Sequence, residues 1–492
     1  MFLRPSVVAL AATALLSACA AGPDYVRPTL PVPAAYKESG DWKPADPRPA
    51  ASGLAWWPPY GDAVLDKLEN DADAANQNIR QAEATYRQAK AIVDADRAGL
   101  FPTLGLNAGV ERARTNSTGL DRTGSSFSLG LAGSWEPDLW GSVRRTIESG
   151  VASAQASADD LAAARLSIQT TLAQDYVQLR IADQQRDLYA NTIAAYTKAL
   201  NLTRAQHAAG VALQSDVSLA EAQLAAAQAS AVDLEATRAQ LEHAIAVLTG
   251  RAPAQFTLAP APAGQPLALR MPDTPAGLPS DLLEHRPDIA GAERRAAAAN
   301  ANIGVAKAAY FPQLTLSASG GFGGAALGNL FDTPGRVWSL GAALAQAIFD
   351  GGLRTARVAQ AEASYDISVS QYKQTVLAGF QQVEDQLALL RLLARESTFQ
   401  EQAVRSSQQA QQSALAQYRA GTISYLNVVT TQTTLLTNQR SAVQLRGRLL
   451  AASITLVSAT GGGWSASHPL AAATEASVAS AAQPQRPEPT PP

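Results

Sequence analysis

The sequence predicts an α+β membrane protein in which one structural unit occurs twice. Three features predict it: a short apolar segment that ends at the only cysteine, segments in which apolar residues alternate with small polar ones, and helix-forming stretches of unusual length. The composition agrees, because only 16% of the 492 residues are charged, whereas soluble domains average roughly 25%. Such low charge indicates that much of the surface faces something other than bulk water.

The same composition excludes several classes of protein. The net charge of −3 provides no basic field for nucleic acid. One cysteine excludes a disulfide framework and a thiolate metal cluster, and the four histidines are too scattered for a histidine-rich metal site. The sequence contains no nucleophile elbow, phosphate-binding loop or zinc-binding pattern. We therefore predict no catalytic residue, no metal, no cofactor and no enzymatic activity.

The N-terminus has the features of a bacterial lipoprotein signal. Arg4 precedes an apolar segment at 7–16, which is shorter than the about 20 residues of a membrane-spanning helix and typical of a signal-peptide core. The following Leu-Ser-Ala-Cys sequence matches a lipobox, so we predict a signal peptide at 1–18 and lipidation of Cys19. Ala20, in place of the aspartate that commonly holds lipoproteins at the inner membrane, favours the outer membrane. The alternative is an ordinary secretory signal with an incidental cysteine.

The main feature of the organisation is an internal repeat. Phe101-Pro102 returns as Phe311-Pro312, 210 residues later, and Ala209-Gly210 returns as Ala420-Gly421, 211 residues later. Many other positions in the two halves match at the same offsets. A register this constant predicts two copies of one unit rather than three unrelated domains. Each unit is predicted to contain a helix, two strands, a long helix, a tight turn and a second long helix.

The long helices are predicted from composition and spacing. No proline occurs between Pro137 and Pro253, and residues 142–209 are rich in Ala, Leu, Gln and Arg. A helix of that length would extend about 100 Å. Apolar residues of the following helix, 215–248, and of its counterpart recur every seven residues, which predicts coiled-coil packing. The helices alone are also compatible with an isolated coiled-coil scaffold.

The strand segments distinguish a membrane barrel from that scaffold. Apolar residues alternate with small polar ones over segments of about ten residues, which is typical of a barrel strand between lipid and a watery lumen. A soluble sandwich strand would alternate too. Aromatic residues at the strand ends favour an interfacial girdle and hence the barrel. These aromatic residues are Phe101, Trp135, Phe311 and Trp338.

Barrel closure requires more strands than one chain supplies. Known membrane barrels have at least about eight strands, whereas the sequence has four such segments. An open sheet edge in lipid would leave backbone groups unsatisfied, so the chain is predicted to oligomerise. A barrel of about eight strands is filled by its own side chains, so the small residues of the polar face favour a hollow barrel of three or more subunits.

The predicted organisation runs through the whole chain. It begins with a signal peptide at 1–18 and a lipid-anchored strap at 19–60. Repeat 1 occupies 61–252, with strands at 103–114 and 124–136 and a helical hairpin at 139–249. A linker at 253–278 leads to repeat 2 at 279–464, with strands at 313–323 and 336–348 and a hairpin at 351–460, and a disordered tail follows at 465–492.

Several motifs give the chain a family resemblance. They are Gly22-Pro23-Asp24-Tyr25-Val26-Arg27-Pro28, Trp56-Trp57, Arg286-Pro287-Asp288-Ile289, Phe101-Pro102 with Phe311-Pro312, and Asp350-Gly351-Gly352. Over about residues 19–464 the sequence resembles the outer-membrane efflux lipoproteins, the TolC-like outer-membrane factors of the NodT (RND-type) subfamily. The motifs themselves are predicted to be structural: Pro287 suits a first helical position, and the Phe-Pro pairs end helices and begin strands.

The resemblance implies a fold, a function and partners. It implies a homotrimer in which four strands per chain form a 12-stranded outer-membrane β-barrel, continued by a long periplasmic α-helical barrel. It also implies the exit duct of a tripartite efflux system for drugs or other small molecules. The implied partners are outer-membrane lipids, a periplasmic adaptor (membrane fusion) protein and an inner-membrane RND-type pump, without nucleic acid. Two alternatives stay open: the exit channel of a type I protein-secretion system, and a trimeric adhesive coiled-coil surface protein.

The turns between the long helices are the candidate functional site. Residues 421–430 resemble the family's gate segment, and by that match Leu426 forms an apolar constriction. Thr430 stands where the family often has an acid, and Arg419 is a candidate donor of tip hydrogen bonds. The residues assigned to adaptor docking are Gly210, Asp216, Gly421 and Ser424. The alternative is that all of these are ordinary turn residues.

Local chemistry predicts how these turns are built. Each tip glycine suits a left-handed position after a helix, and Ser424 is expected to cap the helix that follows. In the first repeat Leu213 occupies the matching position, so Ser215 or Asp216 is expected to provide the cap. Away from the tips, we assign Glu384-Asp385 to a solvated helix face and His285 a structural or surface role.

Overall fold

A computed structural model describes residues 20–38, 55–117, 120–262, 264, 269–272, 285–332 and 335–464, with side chains left out at 115–122. The predicted signal peptide, the lipidation at Cys19 and the tail at 465–492 lie outside the described residues.

The described chain contains seven α-helices and four strands. The helices are α1 (Ala63–Ala75), α2 (Gln77–Ala98), α3 (Ser142–Ala208), α4 (Gln214–Leu248), α5 (Pro287–Ala308), α6 (Leu353–Arg419) and α7 (Tyr425–Ala459). The strands are β1 (Thr103–Ser117), β2 (Leu120–Trp135), β3 (Gln313–Gly324) and β4 (Arg336–Ala345). Helices α3 and α6 have 67 residues each, and α4 and α7 have 35 each. A helix of 67 residues is about 100 Å long.

The helix before the first strand is divided, which corrects the prediction of one helix there. Asn76 has an extended backbone and ends α1. Its side-chain oxygen accepts hydrogen bonds from the backbone N–H groups of Asn78 and Ile79, so it also caps α2. Its amide donates to the carbonyl oxygen of Leu248 at 2.8 Å. This contact with the end of α4 holds the break in place.

The four strands form one antiparallel sheet in the order β1-β2-β3-β4. The register aligns the apolar residues of neighbouring strands in the same rows across the sheet. Leu106 pairs with Leu131, Leu131 with Gly320, and Gly320 with Trp338. The adjacent row consists of Gly105, Ala132, Ser319 and Ser339. One face is therefore apolar and the other consists mainly of small and polar residues.

The strand ends differ from the predicted boundaries. Strand β1 continues to Ser117 and strand β2 already begins at Leu120, so both extend beyond the apolar segment. The reason is that backbone pairing continues through the polar residues of the hairpin. Strand β4 ends at Ala345, three residues earlier than predicted. Phe101, Trp135 and Phe311 lie at the helical end of the sheet, and Trp338 lies toward the opposite end of β4. Aromatic residues therefore occur near both ends of the apolar face.

The hydrophobic core is divided into clusters along the helices. The largest surrounds Tyr60 and Tyr176, which are fully buried, and joins α1, α3, α4 and α7. Next to it, Asp183 accepts hydrogen bonds from Arg180, Arg238 and the backbone N–H of Ala261. This buried network fastens the segment after α4 to the helices.

The N-terminal strap, residues 20–38, lies along the helices from the base of the sheet. The N–H of Ala21 donates to the carbonyl of Trp140 at 3.1 Å, and the Tyr25 hydroxyl donates to Glu293 at 2.8 Å. Further along, both carboxylate oxygens of Glu384 accept backbone N–H groups of Lys37 and Glu38. Glu384 is thus a strap contact, and its assignment to a solvated face is wrong.

Candidate functional site

The two hairpin tips share one backbone design. Gly210 and Gly421 have φ angles of +75° and +74°, the left-handed conformation expected after a helix. The N–H of Gly421 donates to Tyr418 and that of Thr422 to Gln417, a pattern that satisfies the last carbonyl groups of the helix. The same two bonds occur at Gly210. Both tips therefore reverse the chain within a few residues.

The cap of the helix after the tip agrees with the prediction for α4 and differs from it for α7. At the start of α4, Asp216 accepts the N–H of Leu213 at 3.3 Å, so the expected acid does contribute to the cap. At the start of α7, the Ser424 hydroxyl accepts no backbone N–H. It accepts the side-chain amide of Asn427 at 3.2 Å instead. Ser424 is thus the N-cap residue of α7, as expected, but its hydroxyl does not make the expected capping bond to the backbone.

A buried aromatic pair joins the two hairpins. The rings of Tyr418 and Tyr425 flank the second tip with centroids 5.3 Å apart. They pack with Val217, Ala220 and Leu200 of the first hairpin. The Tyr418 hydroxyl donates to that of Thr203 at 3.3 Å, and burial raises the pKa of Tyr425 to about 12. Sequence reasoning missed this pair, although one aromatic residue on each side of the glycine turn was a visible signal.

Leu426 and Thr430, two of the residues assigned to the gate, lie on the exposed side of α7. Leu426 is 60% exposed, while its neighbours Tyr425 and Val428 are buried. Thr430 is also exposed, and its hydroxyl donates to the carbonyl of Leu426 at 2.9 Å. Arg419, the last residue of α6, has no hydrogen-bond or ion-pair partner among the described residues, and a tip hydrogen bond from it stays a prediction. Tyr418 does donate one within the chain.

Charge at the tips is sparse. Glu221 pairs with Arg204 at 2.6 Å on the first hairpin, with both side chains about half exposed. Thr430 adds no ionisable group where a carboxylate would give cation selectivity. The exposed side of the tips is instead apolar, with Val211 and Leu213 at 73% and 71% exposure. Such a surface can pack against another apolar surface.

The segment containing His285 and Arg286-Pro287-Asp288 is structural. Pro287 is the first residue of α5, as predicted. The guanidinium of Arg286 is buried and donates to the carbonyl of Ala459 at 2.9 Å and to Asp288 at 2.6 Å. This motif therefore joins the start of α5 to the end of α7.

The sheet presents the second functional surface. Leu104, Leu340 and Trp338 are 72%, 76% and 77% exposed on its apolar face. Among the residues that the structure describes, neither the outer edge of β1 nor that of β4 has a strand partner. Each edge thus presents a row of unpaired backbone groups.

No group of three His, Cys, Asp or Glu side chains that could hold a metal ion occurs among the described residues. No helix in the described part of the chain is long and apolar enough to cross a membrane.

Comparison with known proteins places the chain. The model of the outer membrane efflux protein family matches residues 68–251 and again residues 278–462. The chain belongs to the outer membrane efflux protein family. The resemblance to the TolC-like factors is confirmed, and the protein is an outer-membrane component of an efflux system.

Relatives of known role cover almost the whole chain. The pyoverdine export outer membrane protein OpmQ of Pseudomonas aeruginosa is 34% identical over 465 residues, 92% of this chain and 96% of that protein. The toluene efflux pump outer membrane protein TtgC of Pseudomonas putida is 30% identical over 469 residues, 93% of this chain and 96% of that protein. The outer-membrane channel OprN has a TM-score of 0.84 at 29% identity, covering 91% of this chain and all of that one.

Proposed function

We propose that three copies of the chain close a hollow barrel that is the outer-membrane exit of a tripartite small-molecule efflux system. The observation that carries this proposal is the four-stranded sheet with an apolar face, a small polar face and two unpaired edges. Pairing β4 of one chain with β1 of the next satisfies both edges. Three chains of four strands make 12 strands, enough for a lumen.

The long hairpins continue this barrel into the periplasm as an α-helical conduit. Helices α3 and α6 leave the sheet at Gly141 and Gly352, both left-handed, and run for 67 residues to the tips. The duct is passive, and a periplasmic adaptor and an inner-membrane RND-type pump supply the energy. The relatives export compounds as different as pyoverdine and toluene, which supports selection of the substrate by the pump.

Native mass spectrometry in detergent tests the stoichiometry. Wild type is expected as a trimer, and a monomer or dimer would contradict barrel closure. Cells that lack the chain are expected to accumulate a small-molecule substrate of the cognate pump and to recover export with wild type. Recovery of protein secretion alone would favour the type I secretion channel.

The strap supports lipidation of Cys19. Ala20 lies against Gly141, where a Cβ atom would be 3.0 Å from the Ala20 Cα. Arg145, which is buried, donates to the carbonyl oxygens of Ala21 and Gly22 and fixes the strap there. Cys19 would therefore begin at the base of the sheet, where an acyl chain can enter the membrane. Intact mass spectrometry of the mature protein tests this, and an unmodified N-terminus at another residue would refute it.

The tips form the gate and the adaptor dock in this proposal. Leu426 is exposed in one chain and would meet its two copies at the axis of a trimer, while the buried tyrosine pair holds the helix that carries it. The docking residues Gly210, Asp216, Gly421 and Ser424 lie at the same end, where the backbone turns. An apolar ring without carboxylates would close the duct by packing alone.

Single-channel recording in planar bilayers tests the gate. Leu426→Ala is expected to open the resting channel, and Thr430→Asp to introduce block by divalent cations. Leu392→Ala, which removes an exposed leucine from the middle of α6, is the matched control and is expected to behave as wild type. If both tip variants behave as wild type while the trimer is intact, the gate lies elsewhere.

A further inference from the structure

The apolar rows of the two edge strands both end at an arginine. On β1 the row runs through Leu104, Leu106, Ala108 and Val110, and the next residue on that face is Arg112. On β4 it runs from Leu344 through Leu340 to Trp338, and the next residue is Arg336. Both arginines are exposed and lie at the end of the sheet away from the helices.

The two arginines occupy matching positions at the ends of their apolar rows. Each lies two residues beyond the last large apolar side chain of its strand, Val110 or Trp338. Arg336 pairs with Phe322 and so belongs to the apolar face of the sheet. Arg112 pairs with Ser125, whereas the neighbouring acid Glu111 pairs with Ser126 and faces the other side. On the lipid side of the sheet the apolar rows of both edge strands therefore end in a basic residue, whereas Glu111 belongs to the lumen side.

Trimer closure brings these cations together. This step rests on the proposed function, in which β4 of one chain pairs with β1 of the next at a spacing of about 4.8 Å. Arg336 of one chain would then lie on the strand next to the one that carries Arg112 and Arg114 of its neighbour. The lipid side of the boundary would thus carry three cations. A bound anion would reduce the repulsion among them.

We propose that each of the three protomer boundaries binds the phosphate groups of a phosphorylated outer-leaflet glycolipid, the lipid A part of lipopolysaccharide. Its acyl chains lie along the apolar face formed by Val110, Leu340 and Trp338. Its phosphates meet Arg112 and Arg336, and guanidinium groups bind phosphate through paired, charge-assisted hydrogen bonds. The apolar rows are complementary to the acyl chains, and the arginines beyond them are complementary to the phosphates, so a single amphipathic lipid fits both.

Native mass spectrometry of the full-length protein with purified lipid A tests the site. Wild-type trimer is expected to carry up to three lipid A molecules. The double variant Arg112→Gln/Arg336→Gln is expected to bind about a hundredfold more weakly, since each of the two lost charge-assisted contacts is worth about tenfold. Arg87→Gln, which removes an exposed arginine from α2, is the matched control and should bind as wild type.

Dephosphorylated lipid A separates the phosphate contacts from simple apolar adhesion. Wild type is expected to bind it no better than the double variant binds intact lipid A. Equal binding of both lipids, or undiminished binding by the double variant in an intact trimer, overturns the glycolipid site and leaves the duct untouched. A spectrum without trimers overturns barrel closure itself and the shared site with it.

Discussion

The sheet and the hairpin tips treat apolar side chains in opposite ways. On the sheet Leu104 and Leu340 are more than two-thirds exposed in the described part of the chain. At the tips Tyr418 and Tyr425 are buried between two hairpins that are 215 residues apart in sequence at the Tyr418–Thr203 contact. The apolar face of the sheet is thus left uncovered by the described residues, whereas the core of the tips is buried within one chain.

The largest expected effect contrasts the two faces of the sheet. Leu131→Arg places a charge on the lipid face and is expected to lower the free energy of unfolding by about 2–4 kcal/mol near the bilayer midplane. Ser128→Arg, three residues away on the lumen face, should change it little. Urea unfolding in lipid vesicles measures both. Equal cost for the two substitutions would contradict the assigned faces.

A buried acid in the helical body gives a pH-dependent test. Glu69 in α1 is fully buried, and burial followed by repulsion from Asp73 raises its pKa to about 9. The folded protein then holds a proton that the unfolded chain loses above its ordinary pKa of 4.5. Stability contributed by this proton is present below that value and declines as the pH rises toward 9, by at most about 1.4 kcal/mol per pH unit.

Glu69→Gln isolates this contribution. The variant keeps the size of the side chain and removes the ionisation, so its stability is expected to depend less on pH between 4.5 and 9 and to exceed wild type at the upper end. Thermal unfolding at several pH values measures the difference. Parallel pH profiles for the two proteins would show that Glu69 is ionised in the folded state.

Glycine substitutions compare the backbone of the two regions. Gly421→Ala keeps open space around the new Cβ but forces a side chain into the left-handed conformation, which costs roughly 1–2 kcal/mol. Gly320→Ala in β3 also meets open space, without a positive φ, and is expected to be neutral or stabilising. Thermal unfolding of the two variants ranks them. A more stable Gly421→Ala protein would refute the tip geometry.

The smallest effect concerns the hydroxyl that joins the hairpins. Tyr418→Phe removes the buried hydrogen bond to Thr203 and is expected to destabilise by about 1 kcal/mol. Tyr310→Phe removes a hydroxyl contact with Thr355 at a 40% exposed tyrosine and should be close to neutral. Hydrogen exchange of α3 and α6 near the tips locates the change. An unaltered exchange pattern in Tyr418→Phe would show that the bond does not hold the hairpins together.

The sequence alone determined the features that depend on local periodicity. Alternation over two residues specified the faces of all four strands, and proline spacing specified helices α3 and α4. Glycine placement specified the turns at Gly210 and Gly421, because no other residue adopts a left-handed conformation at so little cost. The family motifs specified the efflux role, which the family match confirms.

Only the tertiary structure decided which distant groups meet. It divided the first helix at Asn76, whose amide reaches Leu248, and it gave Glu384 to the strap rather than to solvent. It brought the Tyr418 hydroxyl to Thr203 of the other hairpin, a tip hydrogen bond that no local pattern indicated. These contacts join residues more than 100 positions apart, and a local pattern cannot encode them because their partners are selected by packing.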